Sequence, residues 1–445
     1  MQTIMIVGGG AGGLELATRL GDSAGKAGHA RIVLVDRWPA HFWKPLLHTV
    51  ASGKRDPHVT QLDYAAQASD HGFEFVRGEM LGVDREARTI RLAPWLADDG
   101  AEVLPARLLA YDKLVLALGS VTNFFGVPGA AEHVLTLDDV AQAEAFRQRF
   151  IDGCIQASAR RAAGKANAGQ GEGEGEGGID IVIVGGGATG VELAAELSHS
   201  ARTLARYKVH ALDPVRDVRI RILERGSLLL PHLQPRLSRR AARHLRTLGI
   251  KVLTDCPVAR VDSGAVHDTD GARYPAAITL WAAGVEAPPV CAALGLEVNR
   301  LRQIAVNAAL QAPGDPHVYA LGDCASFTCP IRGVVPPRAQ AAHQQAMFLA
   351  QQLAQQAKPG RASGQAAFAY RDYGSLVSLG PLAAVGVLYG TVGTRKIQVG
   401  GALARWLYAM MYRKHLMALH GFVRMAAHTV ADWIGDKLAP SVKLH

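Results

Sequence analysis

A glycine-rich segment occurs twice in this chain, and the repetition constrains the fold more than any other feature. Residues 4–17 read IMIVGGGAGGLELA, and residues 181–194 read IVIVGGGATGVELA. Each copy passes from β-branched residues through a glycine cluster into apolar residues at helical spacing, which predicts a strand, a tight turn and a helix. Two distant copies indicate two nucleotide-binding domains rather than a solenoid, whose repeats are much shorter.

Each glycine cluster has the spacing Gly-x-Gly-x-x-Gly. The first glycine permits the tight turn, the second lets the backbone approach a pyrophosphate, and the third lets the helix pack on the strand. Unpaired N–H groups at the positive end of the helix then bind the phosphates. A glycine turn without a ligand is the alternative. The motif positions are Gly8, Gly10 and Gly13 in the first copy and Gly185, Gly187 and Gly190 in the second.

An acidic residue ends the strand that follows each glycine motif. The predicted strand 32–35 leads to Asp36, and the predicted strand 218–223 leads to Glu224. A carboxylate at this place accepts hydrogen bonds from ribose hydroxyls. Because a carboxylate repels a 2′-phosphate, Glu224 favours NADH over NADPH, although the adjacent Arg225 opposes that preference.

A third motif comes late in the chain. Residues 318–325 read VYALGDCA, so a predicted strand delivers Gly322 and Asp323 to the start of a further element. An ordinary Gly-Asp turn is the alternative interpretation.

Composition limits the class of protein. The 445 residues suit two or three domains, and an apolar content of 49% excludes wholesale disorder. The net charge of +9 favours an anionic partner, either lipid or nucleic acid. The five cysteines form neither a disulfide framework nor a paired metal-ligand spacing, so we expect no metal and a reducing, cytoplasmic setting. The chain enters a predicted strand at once, and we expect no signal peptide.

The two glycine motifs and the late Tyr-Ala-x-Gly-Asp resemble the pyridine nucleotide-disulfide oxidoreductase superfamily. The resemblance implies an α/β fold with two Rossmann-like domains (glutathione-reductase-like), the second inserted in the first. It implies non-covalent FAD on the first motif with Asp36, Gly322 and Asp323, and NADH as substrate on the second motif with Glu224. The implied domains are 1–120 with 285–360 for FAD, 121–284 for NADH, and 361–445 as a C-terminal region.

Longer blocks resemble the type II NADH:quinone oxidoreductases over nearly the whole chain. The resemblance implies two-electron transfer from NADH to a membrane quinone without proton pumping, a peripheral position on the cytoplasmic face of the cell membrane, and a possible homodimer. The alternating Gly/Glu segment 169–178 is the one stretch that the resemblance does not cover, and its composition predicts a flexible surface loop. The resembling blocks are 42–48, 185–197, 335–344, 374–379, 418–421 and 443–445.

The resemblance places the element 339–344 beside the flavin, where the quinone docks. Gln340 and Gln344 are amides that can donate to a quinone carbonyl, and His343 is a candidate proton donor. Glu192 is predicted to face the nicotinamide or the flavin, with a helix-terminus glutamate as the alternative. Lys44 is placed near the flavin by the resemblance and is otherwise a surface lysine. Gln345, Gln351 and Gln352 are predicted to solvate a helix face, which is also the alternative for Gln344.

Two other functions stay open. Cys324 and Cys329 have a C-x4-C spacing, and with Cys154 they keep a sulfide:quinone oxidoreductase as the alternative enzyme. A disulfide reductase is disfavoured because its cysteine pair follows the first glycine motif closely, whereas the first cysteine here is Cys154. A non-catalytic, redox-sensing module that binds NADH is the third possibility.

The end of the chain predicts contact with a membrane surface. From residue 401 onward six Lys/Arg accompany two Asp, and apolar residues recur at helical spacing. Basic amphipathic helices of this kind lie in the interface of an anionic bilayer, and packing on the protein or on a second subunit is the alternative. Nucleic acid is disfavoured because no recognition motif occurs. The uncharged stretch 373–394 is glycine-rich and predicts two strands turning at Gly380–Pro381 rather than a membrane span.

Overall fold

The computed structural model describes residues 1–97, 99–167, 177–359, 366–380, 383–389, 396–438 and 442–443. They form two compact units. The first unit comprises Met1–Lys44, Thr60–Val121 and Val285–Asp372, and the second comprises Pro45–Val59, Thr122–Gly284 and Tyr373–His445. Most of the predicted Gly/Glu loop 169–178 lies outside the described residues.

The first unit is built on a five-stranded parallel sheet. Its central strand, Gln2–Val7, buries Ile4 and Ile6 completely, as expected for a parallel sheet covered on both faces. Strands from both sides of the 122–284 segment contribute, because Val318–Ala320 pairs with Lys113–Leu116. The strand order is Val318–Ala320, Lys113–Leu116, Gln2–Val7, Ala30–Asp36 and Glu74–Arg77.

Helices and a second sheet complete the first unit. The helix Ala11–Leu20, here the first-turn helix, continues into a π-helical turn at Gly21–Gly25. The helix Ala339–Gln356, here the Ala-Gln helix, packs against the first-turn helix, and Tyr64–His71 is a shorter helix. The antiparallel sheet consists of Met80–Asp84, Thr89–Leu92 and Arg107–Ala110.

The second unit repeats the same plan with a four-stranded parallel sheet. Its strand Ile179–Val184 leads through the second glycine motif into the helix Ala188–Arg206, here the second-turn helix. The prediction of a strand, a turn and a helix is therefore confirmed for both copies. The other elements are the parallel strands Lys251–Leu253, Val218–Leu223 and Ile278–Trp281, the antiparallel strands Val258–Asp262, Ala265–Asp268 and Arg273–Pro275, and the helices Val140–Asn167 and Pro235–Thr247.

A three-stranded antiparallel sheet and a long helix lie near the end of the chain. The strands are Gly374–Ser378, Ala384–Tyr389 and Lys396–Gly400, which confirms two strands within the uncharged stretch, although Pro381 is outside the described residues. The C-terminal helix, Gly401–Leu438, is interrupted at Gly421, whose φ of 74° lies in the left-handed region that favours glycine. Within the described part of the chain, no helix has the length and apolar content to cross a membrane.

Two segments group differently from the predicted domain ranges. Pro45–Val59 and Tyr373–His445 belong to the second compact unit. In the first of these segments, the Ser52 carbonyl accepts a hydrogen bond of 2.7 Å from the Ser200 hydroxyl, and Lys54 pairs with the buried Glu196 at 2.9 Å. Such contacts join residues far apart in sequence, so no local sequence pattern predicts them.

The remaining elements are short connections. The remaining two- and three-residue strands are Ala40–His41, Leu62–Asp63, Trp95–Leu96, Glu102–Leu104, Val121–Thr122, Val285–Glu286, Ile304–Ala305, Ala325–Ser326, Thr328–Cys329 and Gly333–Val334. The short helices and 3-10 turns are Lys44–Leu46, Leu47–Ala51, Pro57–Thr60, Ala130–His133, Val209–Ala211, Pro289–Ala293 and Gly322–Cys324.

Candidate functional site

The first glycine turn requires glycine at two positions and leaves room at a third. Gly8 has a φ of +104°, and a Cβ there would lie 2.3 Å from the Ala117 carbonyl oxygen. A Cβ on Gly13 would lie 1.8 Å from the Gly8 carbonyl oxygen. At Gly10, by contrast, a Cβ would meet no described atom within 4 Å beyond the turn itself. The open space at Gly10, here called a cradle, leaves room for a ligand at the position where the motif brings the backbone close to a pyrophosphate.

Asp36 is held against this turn. Its Oδ2 accepts a hydrogen bond of 2.6 Å from the Gly9 N–H, and its Oδ1 accepts one of 2.8 Å from the Trp38 N–H. The Tyr64 hydroxyl donates a hydrogen bond of 2.7 Å to the Gly9 carbonyl oxygen and helps to fix the conformation of the turn. Burial raises the pKa of Asp36. The structure thus places the predicted ribose-binding acid beside the predicted phosphate-binding turn.

The second glycine turn has the same construction. Gly185 has a φ of +111°, and a Cβ there would lie 2.5 Å from the Ala282 carbonyl oxygen, whereas Gly187 again faces open space. A Cβ on Gly190 would lie 2.2 Å from the Gly185 carbonyl oxygen. The Glu224 carboxylate accepts hydrogen bonds from the N–H groups of Gly186, at 2.6 Å, and Gly226, at 2.7 Å. Each unit therefore has one cradle with one acid beside it.

Asp323 joins two further polar residues of the first unit. Its Oδ2 accepts a hydrogen bond of 2.8 Å from the Ser120 hydroxyl, and the Ser120 carbonyl accepts one of 2.8 Å from the Lys44 ammonium. Burial raises the pKa of Asp323. The structure brings the predicted residues Lys44 and Asp323 together. Ser120, which links them, was missed, although it follows a strand end rich in small residues.

The Ala-Gln helix contacts the Gly322–Asp323 turn through Gln345. The Gln345 Oε1 accepts a hydrogen bond of 2.7 Å from the Gly322 N–H, and the residue is 2% exposed. Gln352 is also buried, and Gln351 is exposed. The prediction that these glutamines solvate a helix face was therefore wrong for Gln345 and Gln352, because both lie on the buried side of the Ala-Gln helix.

Gln340 and Gln344 lie one turn apart at the start of the Ala-Gln helix and bind the segment 371–372. The Gln340 amide donates to Asp372 Oδ1 at 3.0 Å. The Gln344 amide donates to the Arg371 carbonyl at 2.8 Å and accepts from the Arg371 N–H at 3.0 Å. The structure brings the two predicted quinone donors together, and their role toward a quinone stays a prediction.

His343 is paired with a carboxylate that sequence reasoning missed. Its Nδ1 lies 2.6 Å from Glu15 Oε2, and the other carboxylate oxygen, Oε1, accepts from Arg19 at 2.8 Å. Glu15 is 1% exposed. The available signal was an acid inside the apolar run that follows the first glycine motif, because a buried carboxylate requires partners.

Glu192 lies on the second-turn helix, buried against the C-terminal part of the second unit. Its Oε1 accepts a hydrogen bond of 2.9 Å from the Ser378 N–H, and the Tyr408 hydroxyl hydrogen-bonds the same carboxyl group. Burial raises the pKa of Glu192 to about 8. The Nδ1 of His48 lies 3.5 Å from Glu192 Oε2, and burial lowers the pKa of His48 to about 4. At neutral pH this is a contact between two mostly uncharged groups, not an ion pair.

Glu192→Gln is expected to change the pH dependence of stability. Because the pKa of the folded protein's Glu192 is raised from 4.5 to about 8, the stabilisation from its proton is complete below pH 4.5 and is lost as the pH rises toward 8. The parent should lose stability relative to the variant by up to about 1.4 kcal/mol per pH unit in that window. Thermal melts of both proteins at a series of pH values measure the difference, and parallel curves would contradict the buried, protonated carboxyl.

The cysteines do not form a reactive pair. All five are free and buried. Burial raises the pKa of Cys154 to about 12, and it raises the pKa of Cys324, whose S–H contacts the Leu321 carbonyl at 3.3 Å. Burial also acts to raise the pKa of Cys329, but neighbouring backbone N–H groups outweigh it and the pKa is lowered. No cluster that could hold a metal ion occurs among the residues that the structure describes.

Two glycine turns, each with its acid, and the late Gly-Asp turn define a flavoprotein class with two nucleotide sites. Accordingly, residues 2–346 match the family described as pyridine nucleotide-disulphide oxidoreductase. The chain is 37% identical over 450 residues to a type II NADH:quinone oxidoreductase from Haemophilus influenzae, with 100% of each chain covered. This chain therefore belongs to the type II NADH:quinone oxidoreductases, within that larger family.

More distant relatives agree with this placement. A type II NADH:quinone oxidoreductase from Staphylococcus aureus is 26% identical over 394 residues, covering 87% of this chain and 90% of its own. The structure of NDH2 from Plasmodium falciparum in complex with NADH has a TM-score of 0.79 at 19% identity, with 99% and 100% coverage. The sulfide:quinone oxidoreductase from Aquifex aeolicus has a TM-score of 0.68 at 18% identity, with 95% and 92% coverage. These two structural likenesses show the fold alone.

Proposed function

We propose that this chain oxidises NADH and passes two electrons to a membrane quinone through a non-covalent FAD, without pumping protons. The observation that carries the proposal is the pair of glycine cradles, one in each unit, each with a carboxylate bound to its turn. Family membership supplies the reaction, and the two cradles support the proposal because the reaction needs two dinucleotide sites.

The first cradle fits FAD. We assign the pyrophosphate to the open space at Gly10, a ribose hydroxyl to Asp36, and the ribityl chain to the turn that carries Asp323. Bound at this site, FAD would supply the redox chemistry that links the oxidation of NADH to the reduction of the quinone. The chain's own contribution is positioning: Lys44 and Ser120 orient Asp323, and Gln345 fixes the N–H of Gly322.

The second cradle fits NADH. Its pyrophosphate lies over Gly187, and the Glu224 carboxylate faces the adenosine ribose. Both Glu224 oxygens already accept a backbone N–H, so a 2′-phosphate would meet a fixed negative charge that the two hydrogen bonds hold in place. NADH is therefore preferred to NADPH.

The quinone docks at the start of the Ala-Gln helix, which is joined directly to the FAD-binding turn through Gln345. Gln340 and Gln344 hold the segment 371–372, and their amides have the donor chemistry that a quinone carbonyl needs. His343, oriented by Glu15, is the candidate proton donor on the same helix. Glu192, protonated at neutral pH, is a second candidate for handling a proton.

Gln340→Ala combined with Gln344→Ala is expected to raise the KM for a short-chain quinone about 30-fold, because a hydrogen bond of this kind contributes roughly 1 kcal/mol and two are removed. The KM for NADH should not change. Steady-state kinetics with each substrate varied measure the split. Gln351→Ala, on the exposed side of the same helix, is the matched control. If only the KM for NADH changed, the quinone would not bind at this helix.

The C-terminal helix supplies a membrane-contact surface. It exposes apolar side chains before and after its interruption at Gly421, including Trp406 (57% exposed), Phe422 (69%) and Val423 (80%). Exposed apolar side chains on a helix that also carries basic residues suit the interface of a bilayer, and we assign the chain to the cytoplasmic face of the cell membrane. Phe422→Ser with Val423→Ser is expected to reduce flotation with vesicles. The alternative is that this surface binds a second copy of the chain. In that case the double variant would float with vesicles like the parent protein but would be monomeric.

Turnover assays separate this function from its alternatives. The proposal predicts quinone reduction with NADH, far slower reduction with NADPH, and none with sulfide. Sulfide oxidation is the less supported activity, because the Cys324 thiol is buried and its pKa is raised. Sulfide-driven quinone reduction that Cys324→Ser abolishes would replace the proposal, and bound flavin without turnover on any quinone would indicate the redox-sensing module.

A further inference from the structure

One helix of the second unit carries an unusual concentration of positive charge. The helix Pro235–Thr247, here the arginine helix, has the sequence PRLSRRAARHLRT and contains no acidic residue. Its apolar side, with Leu237, Ala241 and Leu245, is buried in the unit. Its other side is cationic along its whole length of about 20 Å. The five arginines, all exposed, are Arg236, Arg239, Arg240, Arg243 and Arg246.

The charges of the arginine helix are not neutralised by the protein. None of the five guanidinium groups forms an ion pair with an acidic residue in the part of the chain that the structure describes. Other exposed arginines do: Arg31 pairs with Glu74 at 2.7 Å, and Arg260 pairs with Asp262. Like charges three and four residues apart destabilise a helix. The arrangement therefore favours an anionic ligand from outside the chain.

Four of these arginines line a groove of about 500 Å³. Arg236, Arg239, Arg243 and Arg246 stand along it, and its lining also includes the apolar residues Leu228, Leu229 and Val252. Guanidinium groups bind phosphate oxygens in pairs, through two parallel N–H donors. A phosphate that carries apolar substituents matches both parts of this lining, whereas a free inorganic anion matches only the charge.

The fifth arginine connects the groove to the C-terminal helix. A Cβ on Gly400 would lie 3.2 Å from Nη1 of Arg240, and the C-terminal helix begins at the next residue, Gly401. Gln234 hydrogen-bonds Gln398, and the His244 ring lies 3.1 Å from the Leu379 carbonyl oxygen. The arginine helix thus packs on the sheet that leads into the proposed membrane-contact surface, and all of these residues belong to one compact unit.

We propose that the arginine helix is a second membrane-contact surface, whose groove binds the phosphate of an anionic phospholipid. The inference rests on the proposed function, since it requires the chain to lie on a membrane. The C-terminal helix contributes apolar contacts that any bilayer offers, and its basic residues add some attraction to an anionic one. The arginine helix adds a preference for negatively charged headgroups, and it fixes the orientation of the unit on the surface through a second point of attachment.

Flotation of the flavin-loaded full chain with vesicles tests the proposal. Phosphatidylcholine vesicles are compared with vesicles that also contain phosphatidylglycerol. Arg239→Gln with Arg243→Gln is expected to weaken binding to the anionic vesicles about 30-fold, since each arginine near such a surface contributes about 1 kcal/mol. Binding to phosphatidylcholine should not change. The loss should shrink at high salt, which screens the parent's extra attraction.

A matched double variant controls for the loss of two positive charges as such. Arg206→Gln with Arg273→Gln removes the same charge from exposed positions of the same unit and should lose much less affinity. An equal loss in this control, or no loss in the groove variant, would overturn the inference while leaving membrane binding intact. A raised KM for NADH in the groove variant, assayed in detergent, would also overturn it, because the groove would then belong to the nicotinamide site. If the parent floats with neither vesicle, the membrane-contact proposal itself fails.

Discussion

Replacing Gly187 with alanine is expected to raise the KM for NADH between about 10-fold and 100-fold, because the new methyl group displaces a charged pyrophosphate from its hydrogen bonds. Flavin content and melting temperature should stay at the parent's values. The reason is geometric: a Cβ at Gly187 meets no described atom within 4 Å beyond the turn, and the backbone there is extended, with a φ of −73°. Steady-state kinetics and flavin absorbance measure the two effects.

Gly190→Ala is the contrasting variant in the same turn. Its Cβ would lie 2.2 Å from the Gly185 carbonyl oxygen, so the protein itself must move. We expect a lower melting temperature and poor folding, not a selective change in the KM for NADH. If Gly187→Ala instead unfolds the protein, or leaves the KM for NADH unchanged, the second turn is not the pyrophosphate cradle.

Replacing Gly10 with alanine is expected to give a folded protein that lacks flavin and has no measurable quinone reductase turnover. The first turn offers the same open space, with no described atom within 4 Å of the new Cβ beyond the turn and a φ of −65°. Turnover is lost because the electrons pass from NADH to the quinone only through FAD, whereas weaker binding of NADH can be overcome by raising its concentration. Flavin released by denaturation, measured against protein concentration, gives the result.

The two cradle variants are each other's control. Gly10→Ala should bind NADH normally in a fluorescence titration, while Gly187→Ala should retain its flavin. A variant that disturbs both nucleotides would indicate a general loss of structure. If instead Gly187→Ala lost its flavin and Gly10→Ala weakened NADH binding, the first unit would bind NADH and the second unit FAD.

The glycine cradles could be predicted from sequence because the requirement for glycine is local. Gly8 and Gly13 lie in the same turn, where a side chain on Gly13 would collide with the Gly8 carbonyl oxygen. The repeated motif alone therefore predicts two nucleotide-binding turns. Asp36 and Glu224 followed from their places at strand ends. Lys44 and Asp323 were named through family resemblance, and the structure brings them together through Ser120.

Other site residues depend on contacts that no local pattern encodes. Glu15 and His343 are 328 positions apart, and Ser120 and Asp323 are 203 apart. Gln345 was misassigned because a glutamine run resembles a solvated helix face until the packing of that helix is known. The prediction that Glu192 faces the nicotinamide or the flavin stays a prediction, and the raised pKa of this residue comes from burial near residues such as Ser378, 186 positions away.

Anaerobic titration of the purified protein in detergent tests whether electrons pass from NADH to a quinone through a bound flavin. We expect a flavin absorption band that NADH bleaches in a stoichiometric step and that a short-chain quinone then restores. A flavin band that sulfide bleaches and NADH does not would contradict the assignment of the second cradle. Absence of any flavin band after careful purification would contradict the assignment of the first.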